Sequence, residues 1–142
     1  MAKVDPYAEL AVINDLGETV DIHPLRKKEV AERIGLCFDR LVYNNKVALA
    51  PEVVASEIQD DKIVLILDQP VAAGEMNTFE VAGEDGKFVN ASATANGNVI
   101  TILSPLASPL KLRYAWKDNP VMANLRSVSG LPMSSFELII NK

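Results

Sequence analysis

The sequence predicts an α+β fold, mainly an antiparallel β-sandwich preceded by one strand-loop-helix segment. Three observations carry this expectation. Apolar residues recur at helical spacing between about 24 and 43, the repeat shortens to two after Pro51, and Gly, Asn and Pro turn signals separate the short runs that follow. A chain of 142 residues suits one domain, or a small domain plus part of another, and buries roughly 68% of its unfolded surface.

Residues 8 to 13, AELAVI, form a short apolar run that reads as a strand. NDLGETVDIHP follows, a loop dense in Asp, Asn and Gly, of the kind that carries functional groups more often than strands do. Pro24 suits the first position of a helix, where its fixed φ is helical and its missing N–H is not needed. Val30, Ile34, Cys37 and Leu41 then repeat at spacings of four, three and four, and Ala31 and Phe38 widen the stripe. Glu29 and Arg33 stand four apart on the other side, placed for an ion pair. A helix is therefore expected from about 24 to 43, stopped at Asn44 and Asn45.

Lys62 to Asp68, KIVLILD, is a continuous apolar run suited to a strand buried on both faces. Thr78 to Ala82 sets Phe79 and Val81 on one face, and the turn at Glu84, Asp85 and Gly86 leads to Phe88. In Val89 to Ala95 small apolar and polar residues alternate, and Asn96-Gly97 is a type I′ hairpin signal into the partner run Asn98 to Leu103. Leu110, Leu112, Tyr114 and Trp116 alternate with Lys111, Arg113 and Ala115, so the first four are expected to face the core. Phe136, Leu138 and Ile140 alternate near the C-terminus. About six such strands with Gly, Pro and Asn turns indicate a sandwich.

Composition excludes several function classes. Lys and Arg number 14 against 19 Asp and Glu, a net charge of −5, whereas a surface that tracks phosphates needs clustered cations. No nucleic-acid partner is expected, and the one basic run, Arg26 to Lys28, reads as a solvated helix face. The 49% hydrophobic and 23% charged content is that of a globular protein. No run approaches the roughly 18 to 20 apolar residues of a membrane span, and the N-terminus lacks the apolar core of a signal peptide, so no membrane partner is expected. A single cysteine, Cys37 between Leu36 and Phe38, excludes an internal disulfide and is expected to be buried. A single histidine means that any imidazole chemistry must use His23, and neither a metal site nor a cofactor is expected.

Asp21 and His23 beside a helix start are the one constellation suited to catalysis. An imidazole becomes a useful general base when a carboxylate fixes its tautomer and stabilises the imidazolium. Asp-x-His is also common by chance, and a lone His in a loop is as readily explained by a local hydrogen bond.

The neighbours of that tripeptide add to it. DLGETVDIHPLRKKEVAERIGL resembles the segment that brings in the catalytic histidine near the end of the catalytic domain of sialate O-acetylesterases, in the SGNH-hydrolase superfamily. FEVAGEDGKFVNASA, RYAWKDNPVMANL and GLPMSSFEL are similar to the C-terminal β-region of the same family, so the resemblance runs from about Ala11 to Leu138. It implies that residues 1–46 are the tail of an SGNH-type α/β catalytic domain and residues 52–142 an accessory β-sandwich.

By the same resemblance His23 is the general base of a Ser-His-Asp acetyl-ester hydrolase, and Asp21 is its orienting carboxylate. The superfamily usually places that Asp three residues before the His, where Val20 stands here. Asp15 is the alternative orienting group, and Asp21 the alternative cap of the helix. The family's nucleophilic Ser and its oxyanion-hole blocks are expected elsewhere, because all eight serines lie in the β-rich half, outside any Gly-x-Ser or Gly-Gln-Ser context. The expected partners are therefore the serine-bearing N-terminal half of an esterase and an O-acetylated sugar such as sialic acid. The chain alone is expected to be inactive, self-association is left open, and family members act on periplasmic or extracellular glycans. The alternative is a non-catalytic carbohydrate-binding or structural β-sandwich with Trp116 and Tyr114 as a sugar platform. Their alternation with polar residues instead favours core. A folded remnant without activity is the third reading.

Overall fold

The computed structural model describes residues 5–23, 25–59 and 62–140. One helix, α1 (Lys27–Val42), precedes seven strands: β1 (Val53–Gln59), β2 (Lys62–Leu67), β3 (Gly74–Ala82), β4 (Val89–Asn96), β5 (Val99–Leu103), β6 (Lys111–Tyr114) and β7 (Phe136–Ile139). The mainly antiparallel β architecture with one preceding helix agrees with the sequence. Every pairing is antiparallel, and the strands join in one sheet of order β1-β2-β5-β4-β3-β6-β7.

Alternation decides which face is buried. Ile63, Leu65 and Leu67 of β2, Phe79 and Val81 of β3, Ile100 and Ile102 of β5, and Leu112 and Tyr114 of β6 meet in one apolar cluster. Phe79, Tyr114 and Phe136 form its aromatic end, with ring centroids 4.8 Å apart for Phe79–Tyr114 and 5.8 Å for Tyr114–Phe136. The sheet curls around this cluster with the help of two register shifts, in β1 between Val53 and Ala55 and in β3 between Met76 and Phe79. In the second, Thr78 has a φ of 65°, rare for a β-branched residue, and its carbonyl accepts the Ala115 N–H at 3.0 Å.

That contact corrects one expectation. Ala115 itself has a φ of 51°, which ends β6 at Tyr114 and breaks the alternation, so Trp116 is turned outward and stands 50% exposed. β2 is buried on one face only, with Val64 and Ile66 partly open, because α1 makes no extensive packing with any strand. β1 escaped the sequence analysis because it is an edge strand whose seven residues are largely exposed and carry no clean alternation.

The turns follow local chemistry. Gly86 closes its turn at a φ of 67°, with Asp85 Oδ1 accepting the Lys87 N–H at 3.1 Å. In the β4–β5 hairpin Asn96 pairs with Val99, so the two-residue loop is Gly97-Asn98. Gly97 takes a positive φ of 60° and Asn98 does not, the pattern of a type II′ turn in place of the expected I′.

The N-terminal third differs most from expectation. Residues 8 to 13 are not a strand, since no described strand lies beside them to complete a ladder. The helix is 16 residues long, within the expected bounds, while Pro24 lies outside the described residues. Asn44 ends it at a φ of 54°, the left-handed conformation that Asn tolerates. Of the expected apolar stripe only Cys37 is buried, and Ile34, Phe38 and Leu41 face outward with Val42. The inward face is built on Arg33, and its expected partner Glu29 pairs with Arg26 at 2.9 Å.

Candidate functional site

The loop between Asn14 and Arg26 carries the expected catalytic pair. His23 Nδ1 lies 3.0 Å from Asp21 Oδ1, and the same oxygen accepts the His23 backbone N–H at 2.8 Å. The second bond is an Asx-type turn that brings side chains two residues apart onto one side. The ring is 76% exposed and the carboxylate 56%. Asp21 does not cap α1: the N-cap is Arg26, which makes no side-chain capping bond.

Asp15 is committed elsewhere. Arg33 grips it with two parallel bonds, Nη1 on Oδ1 and Nη2 on Oδ2, the second at 2.9 Å, and Arg126 Nη1 donates to Oδ2 at 2.7 Å. Both the Asp15 and Arg33 side chains are only 12% exposed. Burial by itself raises the Asp15 pKa, but the hydrogen bonds from Arg33 and then Arg126 outweigh it and hold the carboxyl at about 2, down from 3.8. Arg33 Nη1 also donates to the Val12 carbonyl at 2.8 Å, and Arg126 Nη1 to that of Gly130 at 3.2 Å. One carboxylate thus joins helix, loop and β-region, with both of its oxygens engaged by arginines.

Two further bonds fasten the loop to the sheet side. Asn14 Nδ2 donates to the Met133 carbonyl at 2.9 Å, and Asn119 Nδ2 to Thr19 Oγ1 at 3.1 Å. The loop at 117–120, through Asn119, and Met133, next after the loop at 129–132, therefore both reach the segment that bears the histidine. Between the 117–120 loop and residues 13–18 opens a cleft of about 380 Å³ lined by Ile13, Glu18, Lys117, Asp118 and Ser135, among others.

Other candidate groups have structural partners. Ser127 and Ser129 hydroxyls bond to each other at 2.8 Å, and Ser135 Oγ donates to the Ala115 carbonyl at 2.8 Å. Cys37 is buried, and that burial pushes its thiol pKa up, which suits packing and not nucleophilic chemistry. Among the described residues no three His, Cys, Asp or Glu side chains cluster to hold a metal, and no helix is long and apolar enough to cross a membrane.

Arg33 and Arg126 are what the sequence analysis missed. Arg33 has an acidic neighbour at i−4 that accounts for it locally, and Arg126 meets Asp15 across 111 positions, which no local pattern signals.

No family model matches the chain, and no curated protein does. Among solved structures it is similar to a carbohydrate acetylesterase from Xanthomonas citri, at 32% identity and a TM-score of 0.84. The match covers 90% of this chain but only 31% of that one, so the chain spans about a third of the enzyme it resembles.

Proposed function

We propose that the chain is the histidine-bearing part of a carbohydrate O-acetylesterase and acts on acetylated sugars of the sialic acid type when a serine-bearing partner is present. The observation that carries this is the His23–Asp21 contact at 3.0 Å in an exposed loop, within a chain similar to a carbohydrate acetylesterase. With Nδ1 held by the carboxylate, Nε2 is the nitrogen left to face a hydroxyl. In the proposed reaction Nε2 takes the proton of the partner's serine as its oxygen attacks the acetyl carbonyl. It then returns the proton to the departing sugar oxygen, leaving an acetyl-enzyme. Water, deprotonated by the same nitrogen, attacks that ester, the serine recovers the proton, and acetate leaves. The donors that stabilise the oxyanion belong with the nucleophile, on the partner. The apolar side of α1, with Ile34, Phe38 and Leu41 uncovered, supports the need for a partner.

Mixing the chain with the serine-bearing portion of a related esterase is expected to restore acetyl-ester hydrolysis, and His23→Ala to abolish it. Full activity of the mixture without His23 overturns the assignment.

A second reading is favoured by one observation: Trp116 is half exposed and so free to stack on a sugar. Tyr114 cannot share that platform, because its ring is buried in the core. Glycan binding that is lost in a folded Trp116→Ala protein supports a binding module.

A further inference from the structure

The bonds around Asp15 do more than tie two regions of chain together. Segment 14–25 is anchored in its first half, where Leu16 is buried and Asn14 and Thr19 bond to the β-region, whereas Val20 to His23 and Leu25 are exposed and regular structure begins only with α1. Asp15 is the charged tie among these, held bidentately by Arg33 from the helix and singly by Arg126 from the β-region. Arg126 is itself set by backbone: its carbonyl accepts the Ala72 N–H at 3.0 Å, it bridges to Pro132, and its Nη1 also reaches the Gly130 carbonyl at 3.2 Å. A guanidinium locked in this way transmits the position of the sheet to the loop, because its planar fork fixes direction as well as distance.

We infer that Arg126 is a positioning residue for His23: through Asp15 it sets the histidine loop relative to the β-region, so the β-region fixes where the base sits. The inference rests on the proposed role of His23. It gives the accessory region a task in hydrolysis without any contact with substrate.

The test has two arms. In the chain alone, Arg126→Gln is expected to raise amide hydrogen exchange across residues 15–23 by about tenfold or more and to leave β2 and β5 unchanged. Unchanged exchange in the loop, or a uniform rise everywhere, overturns the inference. In the esterase completed with its serine-bearing part, Arg126→Gln is expected to lower kcat about 10- to 100-fold at nearly constant KM, since a base displaced by about 1 Å costs rate and not binding. Arg126→Lys, which keeps the charge, is expected to recover much of it. A normal kcat for Arg126→Gln in an enzyme that His23→Ala inactivates sinks the positioning role and leaves the role of His23 standing. An inactive Arg126→Gln beside an active His23→Ala refutes the role of His23 instead.

Discussion

Arg126 Nη1 donates to Asp15 Oδ2 at 2.7 Å and so joins two residues 111 positions apart at the root of the histidine loop. Arg33 completes the pair from the helix, and together they hold the Asp15 carboxyl at about 2. The folded value lies below the ordinary 3.8, so the stabilisation is complete above pH 3.8 and is lost as pH falls toward 2. Allowing for solvent screening at the partly exposed Arg126, the cluster contributes about 1–2 kcal/mol. Urea unfolding of the natural chain and of Asp15→Asn is expected to differ by that amount near pH 6 and to converge toward pH 2. A difference that persists at pH 2 contradicts this account.

Asp21 serves His23 in two ways that a substitution can separate. Asp21→Asn keeps an oxygen for the His23 backbone N–H and preserves the turn, but removes the negative charge beside Nδ1. The chain alone is expected to lose less than about 0.5 kcal/mol in stability, since both side chains are exposed. In the completed esterase kcat is expected to fall by about tenfold or more, from loss of tautomer control. Equal kcat for the two proteins would mean that the turn alone matters.

Legibility in the sequence followed the range of the interaction. The β4–β5 hairpin, the Gly86 turn and the alternation of β3 and β7 were legible because each is settled within a few residues. Trp116 was misassigned because the alternation ends at Ala115, whose positive φ depends on the bulge at Thr78 in another strand. The helix was legible, but its buried side was not. Apolar spacing points to Ile34 and Leu41, while the inward face is chosen by an ion pair to Asp15. The Asp21–His23 contact was readable as a local motif, and the arginines that fix its loop were not.

The Tyr114 hydroxyl accepts the Leu125 N–H at 2.9 Å inside the core. Tyr114→Phe keeps the ring contacts with Phe79 and Phe136 and leaves a buried donor without its partner. The expected cost is about 1–3 kcal/mol, visible as a lower urea midpoint at unchanged slope. A midpoint within error of the natural protein would show that water replaces the hydroxyl at Leu125.

Ile34 and Phe38 are both more than half exposed on the outward side of α1, one turn apart. A large apolar residue in that position adds little to the stability of the chain, because it loses little contact with water on folding. Ile34→Lys with Phe38→Lys is accordingly expected to change unfolding stability by less than about 0.5 kcal/mol, within the range of ordinary surface substitutions. The same double variant is expected to weaken complementation by the serine-bearing portion at least tenfold, because two charges would enter an apolar contact without partners. Light scattering reports separately on self-association, which the same substitutions remove if copies of the chain meet through this face. Strong destabilisation of the isolated double variant would show that the face packs against the chain's own residues, and undiminished complementation would place the partner elsewhere.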